Sequence, residues 1–218
     1  MKVIVVGAGR LGSQFAEVLA SAGNTVTVID RNPDRLARLA LRTDVRTVAG
    51  DACEPSVLES AGAFAVDLLA ACTGEDEDNL VISLLAKRQF ELPRVVARIN
   101  DQDNAWLFGD DWGVDVAVPS AAPLISLIEE ATGATDTVAL LRLSNAGVNL
   151  IETVIGPGSK AAQRALGEVS LPRGCVVAAV IRAGTPVVPD TAYILSAGDE
   201  VLVVAQTAAE HEIHDAFQ

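Results

Sequence analysis

Aromatic residues are scarce in this chain, at 4% of 218 positions, while 50% of positions are hydrophobic, so the core has to be packed from aliphatic side chains. No run of about 18 or more uninterrupted apolar residues occurs, which argues against a membrane-spanning helix. A secretory segment is missing as well: MKVIVVGAG runs straight into a glycine loop, and a soluble intracellular protein is expected. The 3 cysteines include no CxxC pair and make no complete disulfide set. Cys72 and Cys175 lie in apolar runs and read as buried free thiols; Cys53 lies in a more polar stretch and receives no role. Positive charge is short too, with 16 Lys and Arg against 29 Asp and Glu and a formal charge of −13. That balance excludes general nucleic-acid affinity, which needs clustered cations, and direct binding to an anionic membrane surface. It leaves open a protein partner embedded in the membrane.

What is present is a rhythm. Short aliphatic runs at Val3 to Val6, Thr25 to Ile29, Val45 to Val48, Asp67 to Cys72, Val95 to Ile99 and Val114 to Val118 read as strands. Between them Leu11, Phe15, Val18 and Leu19 recur at helical spacing, as do Leu36, Leu39 and Ala40, and Leu80, Val81, Leu84 and Leu85. Asn32-Pro33 starts the second helix with a cap and a first-turn proline. This alternation predicts an α/β chain with a Rossmann-like, doubly wound parallel sheet. An amphipathic helix is expected over Ser120 to Thr132, carrying Leu124, Ile125, Leu127 and Ile128. The rhythm then changes. Runs at Val138 to Leu143, Leu150 to Ile155, Val176 to Ile181 and Glu200 to Ala205, with a short closing helix, predict a small α+β domain. The expected division is 1–134 and 135–218.

The sharpest chemical signal is Gly7-Ala8-Gly9-Arg10-Leu11-Gly12, which follows a buried strand and opens a helix. In that setting Gly7 makes the tight turn, Gly9 lets backbone approach a pyrophosphate, and Gly12 allows close helix–strand packing. The helix start offers free N–H groups to phosphate, and Arg10 adds a mobile charge. Asp30 ends the second strand at the position, about 20 residues on, that bonds the adenosine ribose. A carboxylate there favours NAD or an unmodified adenine nucleotide over NADP. Arg31 beside it has three readings: accommodating a 2′-phosphate, stacking on adenine, or standing in solvent. Gly50-Asp51-Ala52, Thr73-Gly74 and Arg98 fall at the C-terminal ends of later strands, where open α/β sheets place ligands. Arg98 interrupts an apolar strand and needs a counter-charge, either a ligand phosphate or a structural partner such as Asp51 or Asp67. Glu75-Asp76-Glu77-Asp78 reads chiefly as helix capping, with a divalent metal second. Trp106, Phe108 and Trp112 read as core or interface.

Catalytic groups are harder to find. Tyr193 is the 1 tyrosine, no Tyr-x-x-x-Lys pair occurs, and His211 and His214 stand in the last turns, where exposure is expected. A dehydrogenase would lack an obvious proton donor, with acids such as Glu75 left as candidates. The residues thus predict a nucleotide-binding fold and no enzyme chemistry, the alternative being an NAD-dependent oxidoreductase.

In order along the chain, VIVVGAGRLG, VIDRNPDRL, GDACEPSVLESAG, ACTGEDEDNLVISLLAK, VVARIND and WGVDVAVP resemble the TrkA family, whose domains are also called RCK or KTN. The resemblance implies a cytoplasmic gating subunit, peripheral on the inner face of the membrane through a potassium translocation subunit. It implies a site for NAD(H) or ATP/ADP, with Gly7 to Leu11 on the phosphates and Asp30 on the ribose. It also places Asp51 near adenine, Thr73-Gly74 along the pocket and Arg98 on the phosphate side. Family assemblies are rings built from dimers that exchange the crossover helix, which 120–132 fits. Some relatives carry the two-domain pair twice. This chain carries it once, so a ring needs further copies or a paralogous TrkA-like partner.

Overall fold

The computed structural model describes residues 1–121, 124–125, 128, 131–132, 135–143, 147–206 and 210–218, with backbone alone at 142 and 143. The chain divides into two compact units, Met1–Ala121 and Ala122–Gln218, a division earlier than the expected 134/135.

In the first unit β1 (Lys2–Val6), β2 (Thr25–Asp30), β3 (Arg46–Ala49), β4 (Leu68–Ala71), β5 (Val95–Ile99) and β6 (Val116–Pro119) form one sheet in the order β3-β2-β1-β4-β5-β6. Every neighbouring pair is parallel. Helices α1 (Arg10–Ser21), α2 (Pro33–Ala40), α3 (Pro55–Ser60) and α4 (Asp76–Arg88) lie between the strands in sequence. The strands read as continuous apolar runs because both faces of the sheet are covered. Val3 and Val5 enter one core with Ala16, Val28, Leu36 and Leu39. Ile4 and Val6 point the other way, joining Ile29, Leu58, Leu69, Ile82 and Val95. The order reverses at β1, so the chain leaves β1 and β4 in opposite directions and opens a crevice at their C-terminal ends.

Local chemistry sets the element ends. Asn32 Oδ1 accepts the N–H groups of Asp34 and Arg35 at 2.9 and 3.3 Å, capping α2 as its sequence predicts. Val114 to Asp115, expected at the start of the sixth strand, precede β6. Asp115 instead accepts the Val95 N–H at 2.6 Å and pairs with Lys87 at 2.8 Å. Helix α3 shows too little periodicity to announce itself, burying Leu58 alone. The expected helix over 120–132 falls partly outside the described residues; 124, 125, 128, 131 and 132 are helical, whereas Ser120 and Ala121 are not.

The second unit holds β7 (Thr137–Leu143), β8 (Val148–Val154), β9 (Cys175–Arg182), β10 (Thr185–Val187), β11 (Glu200–Ala205) and α5 (Glu210–Phe217). Its antiparallel sheet runs β10-β9-β11-β8-β7. Alternate residues Val201, Val203 and Ala205 face a core with Ile151, Val180, Ile213 and Phe217. Strand β10 is an edge of three residues containing Pro186, which suits an edge and hides the strand from a propensity reading. Among the described residues no helix is long and apolar enough to cross a membrane.

Candidate functional site

The crevice is a cleft of about 680 Å3 whose walls come from the ends of β1 to β5. At its floor Gly7 turns with φ +101° and donates its N–H to Ile29 O at 2.7 Å. A β-carbon there would meet the Cys72 carbonyl oxygen at 2.9 Å. Gly9 is the N-cap of α1, with no side-chain cap and no acidic residue in the first turn. The first N–H groups and the positive end of the helix dipole are thus left for an anion. Gly12 packs against the turn from beneath, and a β-carbon on Gly9 would meet nothing within 4 Å, so its backbone stands open to the cleft. Gly7, Gly9 and Leu11 line the cleft; Ala8 and Gly12 lie behind this surface, and Arg10 is exposed outside it.

Asp30 does more than the sequence indicated. Its Oδ2 accepts the Ala8 N–H at 2.6 Å and its Oδ1 the Asn32 N–H at 2.7 Å, with Arg35 3.8 Å away. One carboxylate therefore fixes both the glycine turn and the start of α2. Each oxygen accepts one backbone N–H and keeps capacity for a second donor, such as a ribose hydroxyl.

Arg31 lines the cleft and its side chain is 56% exposed, yet it does not stand free in solvent. It pairs with Asp51 at 2.8 Å and Asp78 at 3.0 Å. Hydrogen bonding from Arg31, and then from the Cys53 N–H, holds the Asp51 carboxyl below its ordinary range. Burial and the charges of Asp78 and Asp51 push the Cys53 thiol up to about 12, and burial pushes Cys72 up to about 11, against the charge of Arg98. Both thiols stay protonated at neutral pH, poor nucleophiles and poor metal ligands. Cys72 and Cys175 are half-buried free thiols, less enclosed than expected.

Ala52, Thr73 and Gly74 line the cleft beside Asp51. Thr73 is held by Asn79, which sequence reasoning missed. Fully buried, Asn79 accepts the Thr73 N–H at 3.0 Å and hydroxyl at 2.8 Å and donates to Arg98 O at 2.9 Å, joining the ends of β4 and β5. Asp76, read as a cap, is buried and accepts from Asn100 N and Nδ2, Asp101 N and Asn104 Nδ2 at 2.7 to 3.0 Å. Burial raises its pKa, and these hydrogen bonds outweigh burial and lower it. Residues 76 and 79 lie one helical turn apart on the face that also buries Ile82, Ser83 and Ala86, and that spacing was the available signal.

Arg98 lines the cleft, yet its buried Nε has no hydrogen-bond partner. The structural ion pairs open to it in sequence do not form: Asp51 holds Arg31, and Asp67 accepts the Lys2 N–H at 2.7 Å. Among the described residues Arg98 is a cation at a cleft wall without a counter-ion. The remaining candidates lie elsewhere or do something else. No group of three His, Cys, Asp or Glu able to hold a metal occurs among the described residues. His214 is half-buried with Nδ1 3.3 Å from Thr137 Oγ1, a correction to its expected exposure, while His211 is exposed. Trp106 is 81% exposed, whereas Phe108 and Trp112 pack on the core.

Comparisons with known proteins agree with this architecture. The model of the TrkA-N domain matches residues 3–120, and that of the TrkA-C domain matches residues 150–218. The chain is 42% identical over 98% of its length to a Trk system potassium uptake protein TrkA of Mycobacterium tuberculosis, covering 96% of that protein. It is 33% identical over 94% of its length to a protein of the same description from Vibrio alginolyticus, of which it covers 46%. Among solved structures, the GsuK channel bound to NAD superposes with a TM-score of 0.61 at 17% identity, over 99% of this chain and 39% of that one. The chain belongs to the TrkA family.

Proposed function

We propose that this chain is a regulatory, non-enzymatic subunit of a potassium uptake system that senses an adenine nucleotide, NAD(H) or ATP/ADP, in the first unit's cleft. The observation that carries the reading is the pairing of an uncapped helix start at Gly9 with a cationic Arg98 that has no counter-ion. A buried guanidinium Nε without a partner is costly unless an acceptor completes it. Backbone N–H groups at a helix start are the complementary half of a phosphate cradle. Asp30 supplies the acceptor for a ribose hydroxyl. The relatives' descriptions supply the potassium-transport context, and the NAD in the GsuK structure supplies a ligand of the required chemistry.

A regulator works through differential affinity. Nucleotide acts on a membrane-embedded partner to the extent that it binds one geometry of the assembly better than another. Titration calorimetry against NADH, NAD, ATP, ADP and AMP tests the site. Arg98→Gln should weaken the preferred nucleotide roughly 10- to 100-fold, the range for a charge-assisted hydrogen bond. Equal affinity in wild type and Arg98→Gln would remove Arg98 from the site. No binding of any of the five would make the glycine turn purely structural.

A further inference from the structure

Arg31 follows Asp30 directly and is the cation closest in sequence to the ribose position. Each of its terminal nitrogens already holds a carboxylate: Nη2 lies 2.8 Å from Asp51 Oδ2, and Nη1 lies 3.0 Å from Asp78 Oδ2. Both carboxylates are themselves anchored. Asp51 Oδ1 accepts the Cys53 N–H at 2.9 Å, and Asp78 stands in the first turn of α4 with the Cys53 thiol 3.6 Å from its Oδ1. The two carboxylate side chains are 34% and 23% exposed and that of Arg31 is 56% exposed, so the carboxylates are partly shielded while the arginine stays half in water. The other cation on this wall, Arg35, faces Asp30 at 3.8 Å.

We infer that Asp51 and Asp78 sequester Arg31 and thereby make the cleft selective for adenine nucleotides with a free 2′-hydroxyl against those carrying a 2′-phosphate. The inference rests on the nucleotide reading above. A 2′-phosphate is a dianion at neutral pH. Here it meets three carboxylates, and the arginine able to neutralise it must first leave two of them. A 2′-hydroxyl meets no such barrier, because it donates to Asp30. Selectivity then arises from repulsion and from a withheld donor as much as from attraction.

The test is calorimetric titration of NADH and NADPH into the full chain and its variants. Wild type should bind NADH at least 10-fold more tightly than NADPH. Asp51→Asn/Asp78→Asn frees Arg31 while keeping side-chain shape, and should shift the NADPH-to-NADH affinity ratio at least 10-fold toward NADPH. Adding Arg31→Ala to that background should reverse most of the shift, because the released arginine is its cause. The single variant Asp78→Asn should shift the ratio the same way by a smaller factor, and serves if the double variant folds poorly. An unchanged ratio with NADH binding intact overturns the inference and spares the nucleotide site. A shift that survives loss of Arg31 also overturns it, since charge removal alone would then suffice. Failure of wild type to bind either compound overturns the inference, while titration of ATP, ADP and AMP decides separately whether the nucleotide site exists.

Discussion

A β-carbon on Gly12 would lie 1.9 Å from the Gly7 carbonyl oxygen, a distance only backbone movement can relieve, whereas one on Gly9 would meet nothing within 4 Å. Two glycines of one motif thus carry different duties. Gly12→Ala should cost roughly 3 kcal/mol, the upper range for overpacking a tight contact, and lower the melting temperature by roughly 10 °C. Gly9→Ala keeps a permitted backbone (φ −70°). It should cost about 1 kcal/mol through the poorer N-cap, yet weaken nucleotide at least tenfold by placing a methyl where phosphate approaches. Thermal unfolding monitored by circular dichroism, with titration of both variants, checks the split. Equal stability loss in both would show that the motif serves packing alone. At this scale the glycines and Asp30 were legible because their spacing is a backbone requirement. The isolation of Arg98 and the capture of Arg31 were not, since each depends on which carboxylate the fold brings near.

At the scale of elements, α4 joins the cleft to the segment after β5. Its first turn presents Asp78 to Arg31 and Asp76 to Asn100, Asp101 and Asn104, while Asn79 ties Thr73 to β5. The acidic run was visible in sequence and its dipole logic was sound, but burial turned one of its members into an acceptor for four donors. Asp76→Asn replaces an acceptor oxygen with a donor facing N–H groups, and should cost about 2 kcal/mol at pH 7. The pH dependence has a definite sign. Because the folded pKa of Asp76 lies below its ordinary value, its contribution is complete above the unfolded pKa, near 3.9. It is lost as pH falls through the folded value. The gap in stability between wild type and Asp76→Asn should therefore be widest near neutrality and narrow below about pH 4. Asp51 and Asp199, each lowered chiefly by its arginine, remain in both proteins and leave some acid lability in the variant. Urea unfolding from pH 7 to pH 3 measures the gap; a constant difference would mean that the carboxylate charge is not what holds the 100–104 segment. Elements with strong periods were read correctly to within a residue or two. Helix α3 and strand β10 escaped because a six-residue helix burying one leucine and a proline-bearing edge strand leave almost no periodic trace.

Across the whole molecule, two units with separate cores follow one another in a strongly acidic chain. The change of architecture was legible in the change of rhythm after the expected helix over 120–132, since βαβ spacing stops there. The connecting stretch was legible only as an apolar stripe. Leu124, Ile125 and Ile128 are 62%, 52% and 61% exposed. Positions 124 and 128 fall on one helical face, with 125 beside them. Water is a poor neighbour for such a stripe, and a two-fold arrangement would bring it against its own copy. Covering six half-exposed side chains at about 1 kcal/mol each yields roughly 6 kcal/mol, of the order of the rigid-body cost of association. Against its own copy, the stripe would therefore favour a dimer without being sufficient for a tight one. Ile125→Glu/Ile128→Glu reverses that contribution by placing charge in the contact. Light scattering should find wild type at a multiple of the chain mass and this variant shifted toward the single chain. Retained circular dichroism would show that both units still fold. An unchanged mass would move the assembly face elsewhere on the molecule.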